Sequence, residues 1–370
     1  MKAKEIALNI EEMYPPSLAQ DWDNVGLLVG DPQKNIKNIL LTIDVTKNVV
    51  DEAKRLKTDL IVSYHPVIWD GLKKVIAEGP TRVVYELIRS GIAVFSIHTA
   101  LDSALGGVND ALAEIVGIKD GKPIGDYVGH PGGDRYKLIV FVPIESVAKV
   151  SNAIFAAGAG AIGNYSHCGF NAEGTGTFLP QKGAKPAVGK RGKLEKVTET
   201  RFETVVPSDK LDAVISAMRK AHPYETPAYD VFKIFGTETP FGLGRIGELV
   251  RPLRVARIIK KVKEITGAKA LGLVGDEKRL VRKAAVCAGS CGKIINQVIA
   301  AKADLYLTGE LKHHQALAAQ EAGVTCICLS HTVSERFILK KIAKQLQKQI
   351  KSVTIKISQK DADPFKWKNI

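Results

Sequence analysis

The stretch DLIVSYHP (residues 59–66) carries the pattern from which the fold is predicted. Its apolar part, residues 59–64, has the length and composition of a short buried strand. Pro66 ends that strand and holds the preceding residue extended, so the imidazole of His65 is left at the strand tip. A single histidine in such a place is more often structural than functional. Polar residues follow other strands of this chain in the same way, and this recurrence favours a functional role.

Around this strand, helical and strand patterns alternate along both ends of the chain. In the first part, strands are predicted at 38–45 and 92–97, and helices at 46–56, 81–90 and 107–116. In the last part, strands are predicted at 270–274, 283–288, 304–307 and 324–329, and helices at 254–265, 293–301, 315–322 and 336–348. Strands separated by helices imply right-handed crossovers, so we predict an α/β fold with mostly parallel sheets flanked by helices.

The middle of the chain has a different order of elements. A continuous apolar strand at 135–143 precedes a helix at 145–157, and a strand, a helix and a strand follow at 200–206, 208–221 and 228–234. A β-α-β…β-α-β order is typical of a ferredoxin-like α+β domain. Glycines near both ends of this region mark insertion points. We therefore predict one discontinuous domain, residues 1–133 and 237–370, interrupted by an inserted domain at 134–236.

Composition places the chain among globular cytoplasmic proteins. Of its 370 residues, 45% are hydrophobic and 25% charged, and no apolar stretch approaches the ~20 residues that span a bilayer. The beginning, MKAKEIALNIEEMYPP, predicts an amphipathic helix and has no signal-peptide core. Five cysteines without a framework spacing favour a reducing compartment and buried thiols in strands.

The net charge of +14 is concentrated in the last third of the chain, where residues 237–370 hold 25 Lys and Arg against 11 Asp and Glu. Such a basic surface could attract phosphates, nucleotides or nucleic acid. It could also be an ordinary solvated face, which we favour. The helix predicted at 336–348 illustrates this, because its lysines fall mostly outside an apolar stripe.

Two polar residues follow the strand predicted at 92–97. His98 and Asp102 are spaced by four and can face one point. Asp102 could instead cap the helix that begins near Gly107, but Asn109 suits that role better. We favour Asp102 as a metal ligand and His98 as a support for the ligands.

A second pair follows the last predicted strand. His331 and Glu335 are one helical turn apart, so both can reach the same metal ion. Glu310 follows another strand and could be a general base or an acceptor for a ligand imidazole. Since the carboxyl ends of parallel strands share one edge of a sheet, imidazoles and carboxylates from several strands predict a hydrolytic metal centre. Such nitrogen and oxygen ligands suit one or two Zn²⁺, Fe²⁺ or Mn²⁺ ions.

Two further motifs have structural interpretations. GLGRIG (242–247) has glycines reminiscent of a phosphate loop but lacks the lysine and the strand–turn–helix context, so we expect a tight turn. HPYE (222–225) lies at the end of a helix in the inserted domain, where we expect packing or an interface.

Several motifs together carry a family resemblance. They are WDNVGLLVG (22–30), SYHP (63–66), HTALD (98–102), GLGRIGEL (242–249), TGE (308–310) and HTVSER (331–336). In this order they resemble the Nif-three-like family, also described as dinuclear-metal hexameric proteins or GTP cyclohydrolase 1 type 2 homologues. GAGAIGNYSHCGF (157–170), EGTGTF (173–178) and HPYETPAYD (222–230) resemble the CutA- and PII-like domain inserted in longer members.

The resemblance implies metal ligands at His65, Asp102, His331 and Glu335, with Glu335 bridging two ions. Family members commonly have a second histidine where this chain has Tyr64, and phenol is a poor ligand at neutral pH because its pKa is about 10. One metal position is then weakened unless His98 or water compensates. The resemblance also implies a toroidal homohexamer capped by the inserted domain.

Three functions follow from these features. The first is a metal-dependent hydrolase, cyclohydrolase-like, that acts on a nucleotide-like or phosphate-bearing small molecule through a metal-activated water, with Glu310 moving protons. The second is a non-enzymatic, metal-binding regulatory hexamer, which Tyr64 and the insertion favour. The third, a ring that holds nucleic acid, ranks last because the sequence has no evident aromatic stacking platform.

Overall fold

The computed structural model describes residues 1–127, 135–162, 165–234 and 240–366. Its α-helices are α1 (Ala3–Met13), α2 (Lys47–Arg55), α3 (Arg82–Arg89), α4 (His98–Ser103), α5 (Val108–Val116), α6 (Val147–Ala156), α7 (Leu211–Ala221), α8 (Val255–Thr266), α9 (Ile295–Ala300), α10 (His313–Glu321), α11 (His331–Arg336) and α12 (Leu339–Gln349). Its strands are β1 (Gly26–Val29), β2 (Asn38–Thr42), β3 (Leu60–Ser63), β4 (Ala93–Ser96), β5 (Gly125–Tyr127), β6 (Arg135–Pro143), β7 (Gly169–Phe178), β8 (Glu195–Pro207), β9 (Tyr229–Lys233), β10 (Gly242–Leu243), β11 (Arg245–Arg254), β12 (Gly272–Val274), β13 (Leu280–Cys287), β14 (Leu305–Thr308), β15 (Thr325–Cys328) and β16 (Thr354–Ile357).

The chain forms two compact units. One consists of Met1–Val128 with Thr239–Ile370, and the other is Gly129–Glu238. The boundaries predicted after residues 133 and 236 lie outside the described residues. The strands and helices predicted from the sequence are present, and the fold is mixed α/β with several sheets.

The larger unit contains two five-stranded sheets. The first has the order β1-β4-β3-β2-β16, and the second β11-β13-β14-β15-β12. The inner strands β4, β3 and β2 pair in parallel, as do β13, β14 and β15. Strands β3, β4 and β14 are buried at every position, which fits parallel sheets covered on both faces.

Three of the outer strands in these sheets run antiparallel. They are β1 against β4, β11 against β13, and β12 against β15. Strand β11 follows directly after Gly244, whose φ of +64° is the left-handed conformation that glycine adopts freely. The tight turn expected in GLGRIG is therefore present, between β10 and β11.

One hydrophobic core serves both sheets of the larger unit. It joins side chains of α1, α5, α8 and α12 to inward-facing residues of β2, β3, β13 and β14. Of the apolar stripe predicted in the basic helix, at Phe337, Ile338, Ile342 and Leu346, the last two are buried in α12 together with Leu339, and Ile338 is buried just before it. Because the sheets share this core, loops after strands of both sheets meet within one unit.

The smaller unit has the element order β6, α6, β7, β8, α7, β9. Its four strands pair antiparallel in the order β7-β8-β6-β9. A separate core, which includes Leu138, Val150, Phe202, Val214 and Met218, packs α6 and α7 onto this sheet. Strand β7 lies in the Gly-rich segment and is mostly exposed, so it carries no apolar alternation that would predict it.

Within the described residues, no helix has the length and apolar character needed to cross a membrane. The amphipathic helix predicted at the beginning of the chain is α1, which buries Ile6 and Ile10.

A buried arginine links the loop after α4 to the turn between β10 and β11. Arg245 is 1% exposed and forms an ion pair with Asp110. Its guanidinium also donates to the carbonyl oxygens of Gly242, Gly244 and Ala104 at 2.8, 2.7 and 3.2 Å. These acceptors would lie buried without a donor if the side chain were removed.

We therefore expect Arg245→Met to lower the free energy of unfolding by about 3–5 kcal/mol, because it leaves several buried carbonyl oxygens without a donor and removes the ion-pair partner of Asp110. The exposed Arg257 supplies the control, and Arg257→Met should change stability by about 0.5 kcal/mol or less. Urea unfolding followed by circular dichroism measures both. Equal midpoints for the two variants would contradict this role of Arg245.

Candidate metal centre

The centre lies where strands of both sheets end. His65 follows β3, His98 and Asp102 lie on α4 after β4, and His331 and Glu335 lie on α11 after β15. Ligand atoms of His65, His331 and Glu335 lie within 4.8 Å of one another. The ring centroids of His65 and His98 are 5.2 Å apart. Of the residues that the sequence selected, His65, His331 and Glu335 thus bring ligand atoms together, whereas Asp102 and His98 are not in that group.

Glu335 lies between two imidazoles that come from different sheets. Its Oε1 is 3.2 Å from His331 Nε2, and its Oε2 is 3.3 Å from His65 Nε2. The residue is 3% exposed. Burial acts to raise the pKa of this carboxyl, but the imidazoles of His331 and His65 outweigh it and lower the pKa to about 2. A buried carboxylate with one imidazole at each oxygen has the donor arrangement of a bridging ligand.

Oxygen Oε2 of Glu335 lacks a true hydrogen bond. His65 Nε2 lies 3.3 Å away without making a hydrogen bond of acceptable geometry, and no other described donor satisfies this buried oxygen. A buried carboxylate oxygen without a partner is costly. A cation beside it would remove that cost.

His65 is oriented by a second carboxylate. Its Nδ1 lies 2.8 Å from Asp44 Oδ1, so Nε2 is the ring nitrogen directed toward Glu335. Burial opposes a charge on the ring, but Asp44 and Glu335 raise the pKa of His65 to about 10. A carboxylate on one ring nitrogen, with the other facing the centre, is the usual arrangement of a metal-binding histidine.

His98 has the same arrangement. Its Nδ1 lies 2.7 Å from Asp23 Oδ1, and the ring is 7% exposed. Asp23 is itself fixed by the Thr99 backbone N–H at 3.0 Å and by the Thr99 hydroxyl. The sequence suggested a supporting role for His98; its ring shares the carboxylate contact of His65 at Nδ1, but it lies outside the group of converging ligand atoms.

Asp102 is held by Tyr64. The Tyr64 side chain is completely buried, and its hydroxyl donates a short hydrogen bond to Asp102 Oδ1. Burial, together with the Glu335 charge, raises the pKa of Asp102 to about 6. Burial and the charges of Asp102 and Glu335 also raise the pKa of Tyr64 well above its ordinary value of 10. Tyr64 therefore stays protonated and occupies one oxygen of Asp102.

The helix cap expected at Asn109 is wrong. Helix α5 begins after Gly107 without a side-chain cap. Asn109 is instead buried, donates to the Asp102 carbonyl oxygen at 2.9 Å and accepts from the Ala288 N–H at 2.8 Å. Its amide thus joins the end of β13 to the helix that carries Asp102.

Glu310 lies beside His331 at the edge of a cavity. Its Oε1 is 3.7 Å from His331 Nδ1, and its side chain is 42% exposed. Burial acts against a charge on His331, but Glu335 and Glu310 raise its pKa. The cavity of about 790 Å³ is lined by Glu310, Ser290 and Ser330, with Lys293 and Lys312 among the other residues. Glu310 therefore borders both the ligand cluster and a space of substrate size.

Two backbone positions make room for the cluster. A Cβ on Gly289, where φ is +69°, would lie 2.6 Å from Glu335 Oε1, so only glycine fits there. Ser330, just before His331, has φ +74° and ψ 156°. That conformation strains a residue other than glycine by about 1–3 kcal/mol, and such strain is common at functional sites. Ser330 is held by its hydroxyl, which donates to Asp363 at 2.6 Å.

Asp361 fastens the two halves of the centre together. Its carboxylate accepts from the Ile43 N–H at 3.0 Å and from Arg336 Nε at 2.8 Å. These donors adjoin Asp44 and Glu335 in the chain. The segment that contains Asp361 therefore helps to fix Asp44, which orients His65, and Glu335, which His65 faces.

Sequence reasoning missed the supports and the outer wall of the centre. Asp23 and Asp44 become recognisable only once the strands are assembled. Two exposed tryptophans flank the imidazoles: Trp22 is 60% and Trp69 53% exposed, and their rings lie 5.8 and 5.2 Å from that of His98. Trp22 and Asp23 belong to the WDNVGLLVG motif, which was the available signal.

The other expectations concern residues away from the centre. In HPYE, the buried His222 uses both ring nitrogens, Nε2 toward the Phe141 carbonyl oxygen at 3.0 Å and Nδ1 for the Tyr224 N–H at 3.1 Å. The expected packing role is confirmed.

All five cysteines are free; Cys287, Cys291 and Cys326 are buried, and Cys168 and Cys328 are partly exposed.

The donor set fits a divalent metal ion. Imidazole nitrogens and carboxylate oxygens converge, two imidazoles are oriented by carboxylates, and one buried oxygen lacks a donor. Because Gly289 has no side chain, the space beside the Glu335 carboxylate stays open for a metal ion. These ligand types suit Zn²⁺, Fe²⁺ or Mn²⁺.

Comparisons with known proteins agree with this architecture. The family model Duf34/NIF3 (NGG1p interacting factor 3) matches residues 1–364. A Bacillus subtilis protein named GTP cyclohydrolase 1 type 2 homolog is 37% identical over 369 residues, which are 99% of this chain and 98% of the relative. A Mycobacterium leprae protein of the same name is 39% identical over 330 residues, 88% of this chain and 85% of the relative.

A solved structure of similar extent supports the same assignment. The crystal structure of a Bacillus cereus protein related to NIF3 has a TM-score of 0.74 at 37% identity and covers 99% of both chains. The resemblance of the motifs to the Nif-three-like family is confirmed over almost the whole length. The chain belongs to the Duf34/NIF3 family.

Proposed function

We propose that this protein is a metal-dependent hydrolase that acts on a nucleotide-like or phosphate-bearing small molecule. The observation that carries the proposal is the buried Glu335 carboxylate, which has a different imidazole at each oxygen and one oxygen without a donor. The name GTP cyclohydrolase 1 type 2 homolog, which relatives carry, agrees with hydrolysis of a nucleotide-like compound.

The proposed ligands are His65, His331, Asp102 and Glu335, with Glu335 bridging when two ions are present and His98 as a further ligand. A bound divalent ion supplies Lewis acidity and lowers the pKa of the water it holds. Asp44 and Asp23 hold His65 and His98 in orientation through Nδ1, which leaves Nε2 of each for the centre.

Glu310 is the proposed proton carrier. It is more exposed than Glu335, it faces His331 Nδ1 at 3.7 Å, and it lines the neighbouring cavity. It can therefore take a proton from a water at the centre and deliver it to a leaving group in the cavity.

The surroundings of the centre suit a planar, anionic substrate. The cavity of about 790 Å³ beside Glu310 has Lys293 and Lys312 in its lining, whose charges complement phosphate. Exposed Trp22 and Trp69 next to His98 offer aromatic faces on which a nucleobase or pterin ring can stack. A substrate with a flat ring and a phosphate matches both features.

We expect Glu310→Gln to reduce kcat about 10²- to 10⁴-fold while metal content is unchanged, because a general acid–base group is lost and no ligand is removed. Glu335→Gln should lose both metal and turnover. The assay covers nucleoside triphosphates, pterins and phosphate monoesters, with metal measured by plasma mass spectrometry.

The exposed Glu321 on α10 gives the control, and Glu321→Gln should behave as the unaltered protein. Undiminished turnover in Glu310→Gln would refute the proposed role of Glu310. Full metal loading with no turnover of any compound in the panel would refute the hydrolase itself.

The second candidate is a non-enzymatic, metal-binding regulatory assembly. The Tyr64 hydroxyl occupies an oxygen of Asp102, which weakens the metal position on that side.

We propose that the smaller unit is a ferredoxin-like insertion of the CutA and PII type, supported by its element order and by the sheet order β7-β8-β6-β9. We propose further that six copies form a toroidal homohexamer, whose mass analytical ultracentrifugation can measure.

Tyr64→His should raise the metal content from about one ion per chain toward two, since it adds an imidazole and frees an oxygen of Asp102. Tyr64→Phe is the matched control, because it frees the same oxygen without adding a ligand. Its metal content should stay nearer one ion per chain. Plasma mass spectrometry after dialysis against Zn²⁺ or Mn²⁺ measures both. Equal metal content in the two variants would show that the residue at position 64 does not limit loading.

Gly289→Ala should weaken metal binding about 10- to 100-fold, the range seen when a ligand loses its support. The new Cβ would lie 2.6 Å from Glu335 Oε1 and displace the carboxylate. Gly91 has φ +64° and nothing within 4 Å of an added Cβ, so Gly91→Ala reproduces the backbone strain without the clash. Competition titration with a chromogenic chelator measures the affinities. A similar affinity for both variants would show that Gly289 does not shape the site.

A further inference from the structure

The smaller unit contains a cavity that the metal centre does not use. It measures about 580 Å³, within the range of small-molecule sites. Its walls include the apolar side chains of Phe141, Phe178 and Leu179, and its polar lining includes Glu199 and Tyr224. All these residues belong to one compact unit.

Glu199 is a buried carboxylate without a cationic partner among the described residues. It lies on β8 and is 8% exposed. A Cβ on Gly176, which also lines the cavity, would lie 2.0 Å from Glu199 Oε2. The glycine therefore makes room for the carboxylate on this face of the sheet. Burying a carboxylate without a counter-charge is costly, which favours a role for this residue beyond packing.

Tyr224 places a hydroxyl beside this carboxylate. Its hydroxyl oxygen is buried and makes no hydrogen bond of acceptable geometry within the described residues. Burial and the nearby Glu199 raise the pKa of Tyr224 to about 12, so the phenol stays neutral. Its ring lies 6.1 Å from that of Phe178. A carboxylate and a hydroxyl thus share one aromatic recess.

His222 is not the missing counter-ion. Both of its ring nitrogens are engaged, one toward the Phe141 carbonyl oxygen and the other by the Tyr224 N–H. Burial lowers the pKa of His222, although Glu199 acts to raise it. The imidazole is therefore neutral and leaves the charge of Glu199 uncompensated.

The charge inside the cavity selects the class of ligand. The other charged residues in its lining, Lys185 and Glu225, are exposed and of opposite sign. Glu199 alone supplies buried charge, so an anion is disfavoured. A divalent metal is also disfavoured, because one carboxylate and a neutral phenol fall short of the oxygen ligands it needs. An ammonium group has three donors that can satisfy both oxygen-bearing side chains, and aromatic rings attract cations.

We propose that this cavity binds a small organic cation, with an ammonium group held by Glu199 and Tyr224 and an apolar body against Phe141, Phe178 and Leu179. The proposal concerns a site separate from the metal centre and does not depend on hydrolysis. A ligand there would let the inserted unit sense an amine.

The test uses three probes of similar shape and different charge: benzylamine, benzyl alcohol and benzoate. Calorimetry on the full-length protein should show benzylamine binding about ten-fold or more tightly than the other two, since a hydrogen bond to a buried charge is worth that factor. Glu199→Gln should abolish this preference. Tyr224→Phe should weaken benzylamine about five-fold, because one neutral hydrogen bond is lost.

Two controls assign the binding to the cavity. Glu225→Gln removes an exposed carboxylate of the same lining, and Glu335→Gln alters the metal centre; neither should change benzylamine affinity. Absence of benzylamine binding, equal affinity for benzyl alcohol, or unchanged affinity in Glu199→Gln would each overturn the proposal. Thermal melts establish that the variants are folded, and if Glu199→Gln is not, the response of Tyr224→Phe decides.

Discussion

The structure of the centre depends on one interaction, the contact of the buried Glu335 carboxylate with imidazoles from two sheets. Moving a carboxylate out of water costs several kcal/mol unless nearby groups compensate. In the metal-free protein the compensation comes from protons, since the pKa of His65 is raised to about 10 and that of Glu335 lowered to about 2. Because the pKa of His65 lies above its ordinary value of 6.5 and that of Glu335 below its ordinary value of 4.5, this stabilisation is complete between those two pH values. It is lost as pH rises through about 10, where His65 deprotonates, and as pH falls through about 2, where Glu335 becomes protonated. A metal ion at the same place would displace the protons and take over the compensation.

The two-sheet architecture explains how such a contact can form. Parallel strands bring polar loops to one edge of each sheet, and the shared core fixes the two edges against each other. Strand β3 then presents His65, and the segment after β15 presents His331 and Glu335. Ser330 has a strained backbone conformation, and Gly289 approaches the Glu335 carboxylate closely. The backbone around α11 therefore adopts the conformation that positions this carboxylate, at a cost in local strain. Asp361 adds a polar tie between the same two sides.

Much of this could be predicted from the sequence, and the failures have common physical causes. Inner strands such as β3 are buried apolar runs, so pattern alone finds them. The strands β7, β11 and β16, which were not predicted, lie at sheet edges, where partial exposure removes the apolar run. His65, Asp102, His331 and Glu335 could be selected because they follow strands. Asp23 and Asp44 could not be selected, because their role is to orient histidines that are distant from them in the chain. Asn109 was misassigned for a related reason, since its partner at Ala288 is supplied only by the tertiary fold.

The centre is asymmetric, and Tyr64 is the source of the asymmetry. On one side, Glu335 and His331 face an open cavity through the partly exposed Glu310. On the other, Asp102 is tied to a phenol that burial keeps protonated. In the proposed centre, a metal ion on the Tyr64 side would have to displace that hydrogen bond or use only the remaining Asp102 oxygen, whereas an ion between His65, His331 and Glu335 would meet ligands that are already oriented. Two such positions would therefore differ in affinity. The stronger one would be the one beside Glu310, so the proposed chemistry needs only a single ion.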